Sequence, residues 1–218
     1  MSDSCELPGA PAGEALEKGK AAQLRRWIVG RVRAEGRRVA EWMERRRAET
    51  SRRSPAPVLR RLRRARTILV LCQGNVSRSV FAANLLATAV RDNPTLSIRS
   101  AGLATEPGWR AHPRVVARCR SLNIDIRRHG SVAVTAEMIR AADVVFVMEV
   151  SQLVAMTRRF FSARRKTFLL SCLAPDVPMD IEDPAGKPDS EVDACLDHVA
   201  RAIKPVIDVL VKRNGSHA

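Results

Sequence analysis

Residues 66–84, Arg-Thr-Ile-Leu-Val-Leu-Cys-Gln-Gly-Asn-Val-Ser-Arg-Ser-Val-Phe-Ala-Ala-Asn, change character twice. Thr67 to Leu71 is a short β-branched and aliphatic run of the kind buried on both faces of a parallel sheet. Polar loop chemistry follows at once. Beyond it Phe81, Leu85 and Ala89 recur at helical spacing until Asn93-Pro94 ends the pattern. The stretch reads as strand, loop, helix, so Cys72 leaves a strand and faces a helix N-terminus.

That location favours the thiolate, because unpaired amides of a first helical turn and the aligned peptide dipoles attract an anion. Arg78 adds a planar guanidinium able to grip two oxygens of a phosphate. Ser79 can donate its hydroxyl to the sulfur. Gly74 allows close backbone approach or a positive φ, and Asn75 is the next most tolerant residue for the left-handed region. Amides from Gln73, Gly74, Asn75, Val76, Ser77 and Ser79 can then converge as an anion nest. Spacing alone would not carry this reading. Cys195 and Arg201 stand at the same separation, yet within a long amphipathic run without glycine or a preceding strand, where Cys195 reads as a small core residue.

The segment resembles the low-molecular-weight protein tyrosine phosphatases, whose loop reads Cys-x-Gly-Asn-x-Cys-Arg-Ser-Pro after an N-terminal strand. Further matches are Ser100-Ala101-Gly102, the run Ala142 to Met148, and Asp183-Pro184, so the resemblance covers about residues 66–212. It implies a phosphomonoester hydrolase, a protein-tyrosine phosphatase working through a cysteinyl phosphate on Cys72, with Arg78 on the phosphate and Asp183 as general acid. Asp180 and Glu182 are the local alternatives to Asp183. Ser100 and His129 match a supporting hydrogen-bond layer that holds Asn75. That mechanism needs no cofactor and no metal, and no carboxylate and histidine set has metal-ligand spacing.

The chain departs from the family pattern in several places. Ser77 replaces the second loop cysteine, Val80 replaces a proline, and Ala185-Gly186 stand where aromatics usually follow Asp-Pro. Trp109 is a candidate substitute wall for a phenyl ring. Val76 is aliphatic, which within the family goes with phosphotyrosine, whereas threonine there goes with phosphoarginine. The related arsenate reductases use extra cysteines after the strand ending near Met148; Glu149-Val150-Ser151-Gln152 has none, which disfavours arsenate reduction.

The 218 residues, 45% of them hydrophobic, can fill one ordinary domain plus an extension. Five irregularly spaced cysteines without a Cys-x-x-Cys argue against a zinc site or a secreted disulfide framework. With neither a signal-peptide pattern nor an apolar run long enough to span a bilayer, a cytoplasmic location is expected, with peripheral membrane association as an addition. The net charge is +15, and residues 1–66 hold 18 Lys and Arg against 8 Asp and Glu, a net +10.

The expected fold is α/β, a three-layer sandwich with a four-stranded parallel sheet flanked by helices, plus an N-terminal helical extension. Strands are expected at Thr67–Leu71, Leu96–Ser100, Val144–Met148 and Thr167–Leu170. Helices are expected at His112–Leu122, closed by Asn123 in the left-handed region, at Thr135–Ala141, at Ser151–Phe160 and from Asp189 onward. The domain division is 1–65, a basic and partly disordered extension, and 66–218, the phosphatase domain. Within the extension, residues 1–20 read as irregular, and 23–47 as an amphipathic helix striped by Leu24, Trp27, Ile28, Val32, Val39, Trp42 and Met43. Ser51–Pro57 reads as a linker and Val58–Arg66 as a solvated basic lead. The expected partners are a phosphotyrosine protein and, through residues 23–66, an anionic membrane surface or acidic protein; nucleic acid is disfavoured because no binding module is visible. Two rival functions are a phosphate-binding regulatory module without turnover and an anionic-surface binder acting through the extension.

Overall fold

The structure, a computed structural model, describes the backbone of residues 12–215 and the side chains of residues 23 and 25–213. Four strands, β1 (Thr67–Cys72), β2 (Ser97–Gly102), β3 (Val144–Val147) and β4 (Thr167–Leu169), run parallel in the order β2-β1-β3-β4. Register runs from Thr67 opposite Ser97 to Cys72 opposite Gly102, and Ile68 faces Val144 on the other side. The chain leaves β1 toward β2 and later builds β3 on its other flank. The carboxyl end of β1 is thus the point where the strand order reverses, and connections diverging there open a crevice.

Helices α1 (Ala12–Arg53), α2 (Ala56–Arg64), α3 (Arg78–Ala89), α4 (Pro113–Ser121), α5 (Ala136–Ala141), α6 (Val150–Arg159) and α7 (Asp189–Gly215) complete the described elements, with short 3-10 turns at Phe161–Lys166 and Leu170–Leu173. Because side chains alternate along a strand, β1 feeds two cores. Ile68 and Val70 pack with Phe81 and Leu86 of α3 and Val199 and Val206 of α7. Leu69 and Leu71 pack with Ile139 of α5 and Leu153 and Met156 of α6. The result is the expected three-layer sandwich, and the central strands β1 and β3 have no polar face because neither face meets water, whereas the edge strand β2 exposes Ser97 and Arg99. Asn123 takes φ +60° after α4, and Thr135 caps α5 by accepting from the Met138 amide.

The N-terminal third differs from expectation. Helix α1 is described from Ala12 and runs to Arg53, longer at both ends than the expected 23–47 helix, and it overlaps the irregular lead expected over 1–20; residues 1–11 lie outside the described residues. No linker occupies 51–57, since only Ser54 and Pro55 separate α1 from α2. The expected solvated lead is α2, with Val58 and Leu62 completely buried in the α3/α7 core. Its prolines stand at the helix start, where a missing N–H costs nothing, and so mark an initiation rather than a break. Full burial of each of these two side chains is worth about 1.5–3 kcal/mol.

Contacts divide the chain into a unit ending at Trp42 and a unit from Met43 onward. In the first, Trp27, Ile28, Val32, Val39 and Trp42 are exposed, and the Arg31 guanidinium lies 5.0 Å from the centre of the Trp27 ring. Leu24 falls outside the described side chains. The second holds the last turns of α1, with Glu44 and Ala48 buried, together with α2 and the sheet. No helix among the described residues is long and apolar enough to cross a membrane.

Candidate active site

Strand β1 delivers Cys72 to the crevice, residues 73–77 turn, and Arg78 begins α3. The Cys72 sulfur is 3.0 Å from Ser79 Oγ and accepts from the Asn75 amide at 3.3 Å. Within this loop the positive φ falls on Asn75 (+52°) and not on Gly74, whose added Cβ would meet nothing closer than Val76 Cγ2 at 3.6 Å. A left-handed non-glycine residue costs on the order of 1–2 kcal/mol, so something must hold it. Asn75 is completely buried. Its Nδ2 donates to Ser79 Oγ and Ser100 Oγ, both at 3.0 Å, its Oδ1 accepts from the Val132 amide at 2.9 Å, and its carbonyl accepts from His129 Nε2 at 2.8 Å. Ser100 and His129 therefore do converge on Asn75, and four hydrogen bonds offset its strain.

Gly102 is a site residue that sequence reasoning left without a role. A Cβ there would lie 2.6 Å from Thr105 Cγ2 and 3.0 Å from the Gln73 carbonyl. The amides of Leu103 and Ala104 bond the carbonyls of Cys72 and Gln73 at 2.9 and 3.0 Å. The end of β2 thus backs the first turn of the loop, and its signals in the sequence are a glycine at a strand end and the Ser100-Ala101-Gly102 match to the family pattern.

Arg78 is buried to 1% exposure. Its Nη1 donates to Glu149 Oε1 and, at 2.8 Å, to the Ile181 carbonyl, while Nη2 pairs with Asp183 Oδ2. Glu149 was not expected. It is the second residue past β3, beside β1, so two parallel strands deliver their carboxyl ends to one place; that neighbourhood is the signal that could have found it. Gln152 Nε2 and Ser151 Oγ, each 3.2 Å away, donate to its two oxygens.

Among the three late carboxylates the geometry discriminates. Asp180 accepts from the Val150 amide at 2.7 Å and pairs with Arg45, and Glu182 pairs with Lys187 at 3.2 Å on the surface. Only Asp183 reaches Arg78. Its other oxygen accepts from the Ala185 amide at 3.2 Å, and Pro184 is buried, so the turn fixes the carboxylate's approach. Of the remaining loop residues, Gln73 is exposed, Val76 is half-buried, and Ser77 buries a hydroxyl oxygen without a partner. An unsatisfied buried hydroxyl costs about 1–3 kcal/mol, and Arg78 Nε is likewise buried without a partner. The Trp109 backbone is pinned to Ser131 through both its N–H and its carbonyl, and its ring is exposed.

The other described thiols are structural. Burial pushes Cys119 and Cys195 up to about 11 and Cys172 up to about 12, which keeps them protonated near neutrality. Cys195 packs in the core as expected, its sulfur 3.5 Å from the Glu182 carbonyl. Among the described residues no group of three or more His, Cys, Asp or Glu could hold a metal ion.

A model of the low molecular weight phosphotyrosine protein phosphatase family matches residues 67–215. The low molecular weight protein-tyrosine-phosphatase Ptp of Acinetobacter johnsonii is 32% identical over 105 residues, which cover 48% of this chain and 72% of that protein. A protein-arginine-phosphatase of Bacillus subtilis is 30% identical over 120 residues, 55% of this chain and 79% of that one. The crystal structure of the Erwinia amylovora tyrosine phosphatase amsI superposes with a TM-score of 0.60 at 28% identity, over 66% of this chain and 92% of that chain.

Proposed function

Because the chain belongs to the low-molecular-weight phosphotyrosine protein phosphatase family, we propose that it hydrolyses phosphotyrosine in proteins through a cysteinyl phosphate on Cys72. The observation that carries this reading is the joining of Arg78 to Asp183 beside Cys72 at the end of β1. In the resting site the Asp183 carboxylate occupies one arm of the guanidinium. A substrate dianion competes for that arm and releases Asp183, which takes up a proton from water and turns toward the leaving group. The Cys72 thiolate attacks phosphorus in line, the S–P bond forms, and the P–O bond breaks with its electron pair on the phenolic oxygen, which takes a proton from Asp183. Water then attacks phosphorus, giving its proton to Asp183; the S–P bond breaks, the thiolate returns and inorganic phosphate leaves. Loop amides and Arg78 stabilise the three equatorial oxygens in both steps. Val76 supports phosphotyrosine over phosphoarginine.

Asp183→Asn is the test. Turnover of phenyl phosphate should fall roughly a hundredfold to ten-thousandfold, the usual worth of a positioned acid, and the loss should shrink for aryl groups that leave without a proton. A regulatory module without turnover would show no Cys72-dependent hydrolysis to lose, while phosphate binding stayed intact.

A second reading concerns docking, and the arginines of α2 favour it. Arg60, Arg61, Arg63 and Arg64 are exposed, and neither their guanidinium groups nor that of Arg66, whose backbone amide donates to Asp143, forms an ion pair among the described residues. Arg63, Arg64, Arg66 and Arg213 line a hollow of about 520 Å³. This basic face suits an anionic membrane surface, where each basic side chain near the headgroups contributes about 1 kcal/mol. The full chain should sediment with phosphatidylglycerol vesicles and be released as salt rises. Equal binding to phosphatidylcholine vesicles, or binding indifferent to salt, would count against it.

A further inference from the structure

We propose that Arg45 and Arg52, at the end of α1, are positioning residues that brace the loop carrying Asp183. The inference rests on the reading of Cys72, Arg78 and Asp183 as the reactive set, and it assigns a part in the site to residues that precede the segment matched by the family model.

The brace needs an anchor, and Glu44 supplies it. Its buried carboxylate accepts from Arg47 Nε at 2.6 Å, from Arg164 Nε at 3.0 Å and from Thr157 Oγ1 at 3.3 Å. Arg47 Nη1 also donates to the carbonyls of Arg164 and Thr167, at 2.6 and 3.2 Å. The last turns of α1 are thus fixed to α6 and to the turn before β4. A buried charge satisfied on this many sides cannot slide without leaving an ion unpaired.

From that seat two guanidinium groups reach the loop after β4. Arg52 Nη2 donates to the carbonyls of Ala174 and Val177, both at 2.6 Å. Arg45 Nη2 donates to Asp180 Oδ2 at 2.9 Å. The other oxygen of Asp180 accepts from the Val150 amide at 2.7 Å, one residue past Glu149, and the next amide, of Ile181, bonds the Met148 carbonyl at 2.9 Å. Asp180 therefore joins three things: α1, the start of α6, and the acid loop. All three groups that hold the Arg78 guanidinium, Glu149, the Ile181 carbonyl and Asp183, lie within three residues of Asp180 or of Val150.

The Arg45–Asp180 pair is solvent-exposed in part, with side chains 50% and 30% accessible, so it contributes little to global stability. Its effect is local. Losing it lets the loop sample positions from which Asp183 misses the leaving oxygen, and a misplaced acid lowers kcat more than it weakens phosphate binding, because Cys72, the loop amides and the Arg78–Glu149 pair stay in place.

The test compares Arg45→Ala, Asp180→Asn and the double variant Arg45→Ala/Arg52→Ala with wild type. Asp180→Asn removes the charge that Arg45 needs and keeps an acceptor for Val150. We expect kcat on phenyl phosphate to fall about threefold in the single variants and tenfold or more in the double variant, with KM little changed, in line with lost positioning. The fall should be smaller for a good leaving group, Arg45→Lys should recover most of it, and no further loss should appear in an Asp183→Asn background. Hydrogen exchange of residues 180–187 should quicken in the double variant, a readout independent of turnover. If exchange there is unchanged, the brace is wrong. If wild type turns over in a Cys72-dependent way and the variants match it, the brace is again wrong while the catalytic reading stands. If wild type shows no Cys72-dependent turnover but exchange quickens, the brace holds and the catalytic reading fails.

Discussion

Cys72→Ser leaves a folded protein that no longer hydrolyses aryl phosphates. The expected loss is at least about ten-thousandfold, since removal of a nucleophile acting as part of a unit leaves only what binding and fixed dipoles supply. The fold should survive because the change is nearly isosteric and its neighbours are polar. Ser79 Oγ, 3.0 Å away, and the Asn75 amide, 3.3 Å away, can both bond a serine hydroxyl. A hydroxyl is far less ionised than a thiol near neutrality, and it cannot take over as attacking group. Phosphate release under single-turnover conditions, with vanadate or phosphate binding measured in parallel, checks both halves. Retained binding with no turnover assigns the chemistry to the sulfur. Residual turnover within tenfold of wild type would remove the cysteinyl phosphate from the mechanism, because the other described thiols are buried outside the phosphate loop and cannot replace it.

Features set by neighbouring residues were legible in the sequence. The strand, loop and helix around Cys72, the alternation of strands with helices, and the left-handed turn at Asn123 all follow from local periodicity and from the tolerance of particular side chains. The need for support at Asn75 was visible in its residue type, and the resemblance led to Ser100 and His129. What lay hidden depends on contacts distant in sequence. Arg78 finds Glu149 71 residues away and Ile181 103 residues away, and nothing in the loop itself names them. Helix α2 was missed for a different reason. Val58 and Leu62 are spaced one helical turn apart, but arginines between them and prolines before them read as solvated chain, and only the tertiary core makes that spacing count. Gly74 drew attention because glycine permits a positive φ. The strain instead sits on Asn75, whose side chain makes three hydrogen bonds that a glycine could not.

Arg78→Lys should lower kcat/KM on phenyl phosphate by about a thousandfold or more, the range found when a transition-state guanidinium or oxyanion donor is lost. Charge is conserved, so the effect isolates geometry. The planar fork spreads Nη1 toward Glu149 and the Ile181 carbonyl and Nη2 toward Asp183, and it can present two parallel N–H bonds to a phosphate. An ammonium at the end of a shorter, tetrahedral head cannot span those partners together. Stability should suffer less than activity, because Glu149 and Asp183 keep 25% and 38% of their side-chain surface in water and can be rehydrated. The split between kcat and KM then carries the mechanistic information. If Arg78 binds the ground-state dianion and the transition state equally, KM should rise while kcat holds. If its two arms meet the equatorial oxygens best in the loose transition state, kcat should bear most of the loss. The resting ion pair favours the second outcome, since the ground-state dianion must first displace Asp183 and spends part of its binding energy doing so. Near wild-type kcat/KM in Arg78→Lys would show that the guanidinium's role is to hold Glu149 and Asp183 apart rather than to stabilise the transferring phosphoryl group.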